Sequence, residues 1–397
     1  MAAATLVAVA LATACRGDAR PREGAPGPLP RPAATEATAL AAIVPRLPAS
    51  PDGAEEVRAL DRRIELHRDE PELEIALLLE RAWIRGRLDD YTEALARSAS
   101  WVARAPGERR AWQTRVQVLT RVHDFAAARA ALERLRPLVG GPGELAELAS
   151  GIDEATGAAS AAAYRAQRAR DTPDPTTLTR WATSLATAGR HDEALAVMRR
   201  VPPAIHDNPP ELLAWILFQW GRIYELRGEP AAARRFYQAS RARLPTIEAT
   251  VHLAQTTAIT GGDPGALVAG ALAENPHPEL LALAGQIDDA RRAWERYVAA
   301  LPLAFAEHAA RFYLGPGRDP ARALALAQLD RANRDTDAAR TLVAEAALAA
   351  GDPALACELA GGLAGGAREA RLVAWRAFSA CGRADDAARL AAQLGIR

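Results

Sequence analysis

The stretch TAGRHDEALAVMRRVP, from Thr187 to Pro202, decides the fold. Gly189 marks the end of one helix, because glycine readily adopts the left-handed conformation that closes a helix. A short polar turn follows, and an Ala-, Val- and Met-rich segment then predicts a second helix that Pro202 ends. Gly189 stands five residues before Ala194, and this spacing sets the distance from the turn to the second helix.

The spacing of glycine and alanine recurs, so the hairpin is one unit of a repeat. The other pairs that keep it are Gly157 with Ala162, Gly228 with Ala233, Gly285 with Ala290, Gly351 with Ala356 and Gly382 with Ala387. His123 and Arg318 keep the spacing to Ala128 and Ala323 without the glycine. The alanines from position 128 to position 387 lie 34, 32, 39, 57, 33, 33 and 31 residues apart. A period near 34 residues is typical of helix–turn–helix repeats.

The most complete unit is WGRIYELRGEPAAARRFYQASRARLP, from Trp220 to Pro245. Tyr224 falls on its first helix, Gly228 ends that helix, and Ala233 starts the packed face of the second. This pattern resembles the tetratricopeptide-repeat family, and so do LTRWATSLATAGRHDEALAVMRRVP and WERYVAALP. The resemblance covers roughly residues 52 to 394. It implies an all-α, right-handed superhelical solenoid of helix–turn–helix repeats.

The repeat predicts a solenoid over residues 38–397, with about nine to ten units. Residues 54–71 are predicted to form the second helix of a degenerate first unit. Residues 89–106 are predicted to form a unit with a longer turn. The gap of 57 residues between two alanines predicts an irregular region over 246–284. We expect one degenerate or shortened unit there, with a bend or hinge in the superhelix.

The first residues predict export. Residues 1–14 contain an uncharged apolar run and read as a signal peptide, and Ala12-Thr13-Ala14 before Cys15 resembles a bacterial lipobox. That resemblance implies cleavage before Cys15 and lipidation of its thiol. Alanine stands at position 12, where leucine is commoner, and no cation precedes the apolar run. Two alternatives therefore remain: ordinary secretory cleavage after Ala14, and an apolar N-terminus that is not an export signal. Residues 15–37 read as a flexible tether rich in Pro, Gly and Arg.

Composition argues against several classes of function. The chain has 397 residues, 49 cations and 49 Asp and Glu residues, so its formal charge is zero, and every cation is arginine. A nucleic-acid binder usually has a basic excess. No phosphate-binding loop, zinc motif or nucleophile elbow occurs in the sequence. We therefore predict no enzyme activity, no cofactor and no metal. His123 and His191 fall in turns, where we expect solvated side chains.

Cys357 and Cys381 are the cysteines that remain beside Cys15. They fall near the same level of consecutive antiparallel helices, so a disulfide between them is one interpretation for an oxidising compartment. The other interpretation is two separately buried small side chains, which is a frequent role of cysteine and the one that we prefer from the sequence.

The resemblance also implies that the first helices line a concave groove that binds partner proteins or peptides. The groove candidates are Arg110, Gln113, Thr114, Gln117, Arg180, Thr183, Trp215, Phe218, Gln219 and Arg222. We predict a non-enzymatic interaction scaffold, lipid-anchored on the periplasmic or surface side of the cell envelope, most simply as an outer-membrane lipoprotein. The alternatives are a cytoplasmic adaptor or regulator and, with less support, a pentatricopeptide-like RNA binder.

Overall fold

The computed structural model describes residues 53–205 and 209–396. Over these residues the chain forms 21 α-helices and no strand. The helices are α1 Gly53–Leu66, α2 Pro71–Arg85, α3 Leu88–Arg104, α4 Arg109–Arg121, α5 Phe125–Leu135, α6 Pro142–Ala155, α7 Ala159–Asp171, α8 Pro175–Thr187, α9 His191–Met198, α10 Pro210–Arg227, α11 Pro230–Arg243, α12 Ile247–Ile259, α13 Gly265–Glu274, α14 Pro278–Leu283, α15 Ile287–Ala300, α16 Pro302–Leu314, α17 Pro320–Asn333, α18 Asp337–Ala349, α19 Pro353–Leu363, α20 Arg368–Ala380 and α21 Ala384–Leu394.

Helix α1 is followed by ten hairpins, from α2 with α3 to α20 with α21, and each helix packs on the next one along the chain. Short connections make neighbouring helices antiparallel. The predicted all-α solenoid of tetratricopeptide-type hairpins is therefore confirmed. The predicted signal peptide, Cys15 and the tether lie outside the described residues. None of the helices in the described part is both long and apolar enough to cross a membrane.

The turn inside each hairpin is built on one residue with positive φ. Eight hairpins use glycine there: Gly86, Gly157, Gly189, Gly228, Gly261, Gly285, Gly351 and Gly382. The other two use His123, with φ of 58°, and Arg318, with φ of 48°. These are the two positions at which the repeat frame keeps its spacing without glycine. The sequence spacing therefore locates the turn even where the residue type does not.

The alanine of the frame packs the second helix against the first. Seven of the frame alanines are buried: Ala128, Ala194, Ala233, Ala290, Ala323, Ala356 and Ala387. In the third hairpin Ala162 is exposed and Ala161 packs instead. The hairpin at Gly86 has a turn of the usual length and not the longer one predicted from the sequence. Helix α3 begins at Leu88, two residues after the glycine, which is the spacing of most other hairpins. Tyr91 stands there in place of the alanine.

The irregular region contains two shortened units in succession. Helix α13 begins four residues after Gly261, and Val268 is its buried residue. Helix α14, which follows, has only six residues. A two-residue insertion in the turn and a truncated first helix therefore hide the repeat from the spacing of glycine and alanine.

Successive turns of the superhelix touch along a line that we call the seam. The hairpin turns at Gly86, His123, Gly157 and Gly189 lie against residues 275–277, 333, 336 and 367, respectively. Helices α2 and α12 also pack directly across it. The seam folds the solenoid back on itself, so the second half of the chain lies against the first.

Candidate interaction surface

The first helices of successive hairpins pack side by side. Contacts join α2 to α4 and α4 to α6, α8 to α10, α12 to α14, and α16 to α18 and then α20. We call their inward faces the first-helix wall. Because the seam brings the two halves together, part of this wall is accessible and part is covered.

Four predicted groove residues are accessible to solvent. Arg110 and Gln117 on α4 are exposed, and Gln113 and Thr183 are half-buried. Arg110 Nη1 donates a hydrogen bond of 3.1 Å to Glu72 Oε2 on α2. These positions form a polar surface on the early part of the first-helix wall.

The other six predicted groove residues are buried: Thr114, Arg180, Trp215, Phe218, Gln219 and Arg222. Arg180 on α8 contacts Glu147 on α6, and Arg165 on α7 donates to the same carboxylate at 3.0 Å. Burial alone would raise the pKa of Glu147, but Arg165 and Arg180 lower it. This cluster ties the third hairpin to the fourth, so in this structure Arg180 makes an internal contact.

Arg222 belongs to a buried cluster on α10, α11 and α12. Glu225 Oε2 accepts hydrogen bonds from Arg222, at 2.6 Å, and from Tyr237, and it lies 3.0 Å from His252 Nδ1. Burial opposes ionisation of Glu225, but His252 and Arg222 outweigh it and hold the pKa well below its usual range. The ring of Phe218 packs on those of Tyr237 and His252, with centroids 5.4 and 5.3 Å away.

A second buried cluster lies on α16 and α17 and was not anticipated from the sequence. Arg334 contacts Glu307 and donates to Asp330 at 2.8 Å, and Arg311 also donates to Glu307. Burial opposes ionisation of Glu307, yet Arg334 and Arg311 lower its pKa to about 2. Burial raises the pKa of Asp330 to about 6, against the effect of Arg334.

The inward contacts between a carboxylate and a histidine or arginine share a spacing that could have revealed them. His252 contacts Glu225 27 residues earlier, His308 contacts Glu279 29 residues earlier, and Arg334 contacts Glu307 27 residues earlier. A carboxylate followed 27 to 33 residues later by an arginine or histidine is therefore the sequence signal for this interior.

The histidines of the turns differ from expectation at one position. His123 is half-buried: its Nδ1 has neither solvent access nor a hydrogen-bond partner, and burial, with Arg334 nearby, lowers its pKa to about 3. His277, on the other side of the seam, has its pKa lowered to about 4 by burial. His191 is half-buried. The seam covers His123 with residues that come about 200 positions later in the chain.

One group of potential metal ligands occurs among the described residues. Oxygens of Glu56, Glu80 and Glu211 lie within 4.8 Å of one another. Burial and the nearby Glu211 raise the pKa of Glu80 to about 7, and Arg63 contacts Glu56. Burial and Glu211 therefore favour the protonated form of Glu80, and the charge of Arg63 lies beside Glu56.

Cys357 lies on α19 and Cys381 follows α20. The structure joins them in a disulfide across 24 residues, with their Cα atoms 6.2 Å apart, rather than leaving two separate thiols. The bond links the last two hairpins.

Comparison with known proteins gives structural neighbours only. No family model matches the chain, and no curated protein matches it. Among solved structures, a chain of the APC/C hetero-tetramer Cut9–Hcn1 is 14% identical, with 90% of this chain and 63% of that chain aligned and a TM-score of 0.43. This chain therefore spans less than two thirds of that neighbour's length.

Two further neighbours are similar at the same level. The human IFIT1 dimer with PPP-AAAA is 14% identical over 77% of each chain, with a TM-score of 0.43. Yeast Tom70 is 13% identical over 84% of this chain and 97% of its own, with a TM-score of 0.30. The neighbours are tetratricopeptide-type repeat proteins. At these identities and TM-scores, nothing about function is inferred from the neighbours. The fold assignment rests on the helical hairpins of this chain.

Proposed function

We propose that the protein is a non-enzymatic scaffold that binds partner proteins or peptides on its first-helix wall. The observation that supports this is the contact of α4 with both α2 and α6, which places these first helices side by side. Three residues of α4 are accessible to a partner: Arg110, Gln113 and Gln117. They can donate hydrogen bonds to a partner, and the two glutamines can also accept them.

The test places a photo-crosslinking amino acid at Gln117 on the wall or at Gln238, an exposed glutamine on the second helix α11. In the native host, we expect crosslinks to a reproducible partner from position 117 and not from position 238. The partner is then purified, and Arg110→Glu should weaken its binding at least fivefold. Crosslinking from position 238 alone, or equal binding by the Arg110→Glu variant, would contradict the proposal.

We further propose that the protein is exported and anchored through a lipid on Cys15. The small residues before Cys15 and the apolar run of residues 1–14 support this. The disulfide between Cys357 and Cys381 agrees with an oxidising compartment.

The mass of the N-terminal peptide from the native host tests the anchor. We expect a peptide that begins at a diacylglyceryl-modified Cys15. A peptide that begins at Cys15 without lipid would mean secretion, and one that begins at Met1 or Ala2 would favour the cytoplasmic adaptor instead.

A further inference from the structure

The seam shows which sides of the hairpins pack on each other. Its earlier side consists of the turns within hairpins, at Gly86, His123, Gly157 and Gly189. Its later side consists of connections between hairpins, at residues 275–277, 333–336 and 367. Apolar side chains take part in this contact, since Leu88 of the first hairpin belongs to one core with Leu301, from the connection between α15 and α16. Within one chain, a turn side therefore packs on a connection side.

Each half of the chain has one side that the seam leaves uncovered. We call the connections at the ends of α1, α3, α5, α7 and α9 the connection end, which comprises residues 66–70, 104–109, 133–141, 170–173 and 199–200. We call the turns after α12, α14, α18 and α20 the turn end, which comprises residues 258–263, 283–288, 349–354 and 379–385. Most residues of both ends are exposed in the described part of the chain. The two ends are therefore the same kinds of surface as the two sides of the seam.

Exposed apolar side chains lie at both ends. Among the described residues, four large hydrophobic side chains are exposed, and Leu66 is the most exposed of them at 78%. It lies at the connection end, while Ile259 and Leu283, at 59% and 36%, lie at the turn end. Leu329, the fourth, lies on the second helix α17. A single exposed leucine is ordinary, but here three of the four occupy the two uncovered sides.

The seam indicates what covers such side chains. Ile259 and Leu283 each stand two residues before the glycine of their turn, and Ile84 has the same position in the first hairpin. Ile84 is buried in one core with Leu244, from the connection between α11 and α12. At this position an apolar residue of a turn is thus matched by an apolar residue of a connection. Leu66, at the end of α1, is an exposed residue of the second kind.

The exposed charges that have no ion-pair partner among the described residues also differ between the ends. At the turn end they are aspartates at the start of second helices: Asp263, Asp288, Asp352 and Asp385. At the connection end they are mainly arginines at the end of second helices: Arg104, Arg134, Arg170, Arg199 and Arg200. Asp69, Glu108 and Asp171 at the connection end, and Arg318 near the turn end, reduce the two excesses without reversing them. Opposite excess charges favour contact between unlike ends and oppose contact between like ends.

We propose that copies of this chain associate head to tail, with the turn end of one copy packed on the connection end of the next. The occupant is a second copy because the contact repeats, between chains, the one that the seam makes within a chain. Such a contact joins unlike surfaces and leaves one of each kind free, so association continues beyond the dimer. This self-association does not rest on the proposed scaffold function.

Sedimentation velocity of the full chain, with Cys15→Ser and the native disulfide kept, measures the association. Over a hundredfold range of protein concentration, we expect this parent chain to form dimers and then larger species. Leu66→Glu alters the connection end, and Ile259→Glu with Leu283→Glu alters the turn end. Each new carboxylate would lose its hydration against an apolar partner, so we expect the apparent dissociation constant to rise at least tenfold in either variant.

A mixture of the two variants distinguishes head-to-tail from symmetric association. Each variant keeps the end that the other has lost, so the mixture should form a dimer with the affinity of the parent chain, and nothing larger. Leu329→Glu is the matched control, since Leu329 is exposed to the same extent as Leu283 but lies away from both ends, and it should associate as the parent chain does. Circular dichroism verifies the helical content, and Ile259→Glu alone replaces the double variant if that does not fold.

A parent chain that stays monomeric over the whole range would overturn the proposal, and so would a mixture that forms no dimer. Association that survives in both end variants, or that Leu329→Glu removes, would overturn it equally. None of these results involves the wall around Gln117. They therefore leave the scaffold proposal standing, and failure of the crosslinking test leaves the self-association standing.

Discussion

At the scale of single residues, the turn position of each hairpin shows what spacing can reveal. The frame places a positive φ at His123 and Arg318 although neither residue favours it. The sequence therefore locates these turns correctly from their distance to Ala128 and Ala323. It does not reveal that the Nδ1 of His123 is buried, because the residues that cover it come from a distant part of the chain.

Arg318→Gly should stabilise the protein. Arg318 is exposed and holds φ at 48°, which costs an ordinary residue about 1–2 kcal/mol. Glycine removes that cost but adds freedom to the unfolded chain, so we expect a net gain of about 0.5 kcal/mol in the free energy of unfolding. Urea unfolding followed by circular dichroism measures it.

Gly228→Ala is the converse change at an equivalent turn. Gly228 has a φ of 85°, and no atom lies within 4 Å of the Cβ that alanine would add. We expect a loss of about 1 kcal/mol from backbone strain alone. A loss in Arg318→Gly, or no effect in Gly228→Ala, would show that φ does not govern these turns.

At the scale of helices, the sequence predicts the hairpins well where the unit has its usual length. It fails at α13 and α14, because the two residues added after Gly261 shift the packed position to Val268 and α14 is cut to six residues. Of the ten groove residues that the sequence predicts, the structure leaves four accessible to solvent. The pattern marks the helix that faces inward, but contacts with the neighbouring helices decide which of its side chains stay accessible.

Gly221→Ala on α10 should destabilise the protein strongly. The new Cβ would stand 2.6 Å from the ring of Tyr237, which is buried and bonded to Glu225. We expect a loss of about 1–3 kcal/mol from overpacking, measured by urea unfolding.

Gly270→Ala on α13 is the matched control for that helix change. No atom lies within 4 Å of the added Cβ, and alanine favours a helix over glycine. We expect Gly270→Ala to raise the free energy of unfolding by up to about 1 kcal/mol. Equal effects of the two substitutions would mean that the contact with Tyr237 does not limit the approach of α10 and α11.

At the scale of the whole molecule, the seam makes stability depend on pH. His277 is buried there, and its pKa is about 4 instead of the ordinary value near 6.5. Between these values the unfolded chain binds a proton that the folded chain does not. Stability therefore falls as the pH falls from about 6.5 towards 4.

His277→Asn should reduce this loss. Asparagine does not titrate and can still accept the hydrogen bond that His277 Nδ1 accepts from the Glu279 backbone N–H. From pH 7 to pH 5 the folded wild type should lose on the order of 2 kcal/mol through His277, and the variant should lack that part. The quantity compared is the change in the free energy of unfolding from pH 7 to pH 5, measured for each protein by urea unfolding. The absolute values are not compared, because loss of the ring also weakens packing on Trp294 at every pH. Parallel losses in both proteins would exclude His277 as the cause.

Two asparagines whose side-chain amides donate hydrogen bonds across the seam, Asn275 to the Arg85 carbonyl and Asn333 to the His123 carbonyl, differ in how they can age. An asparagine side chain is lost by deamidation when the backbone nitrogen of the following residue attacks its amide carbon. Asn275 is followed by Pro276, whose nitrogen carries no hydrogen, so this route is closed to it. Asn333 is followed by Arg334, and the route is open. In an old population of molecules, chemical damage would therefore remove the hydrogen bond from Asn333 to His123 first, while the one from Asn275 to Arg85 is preserved.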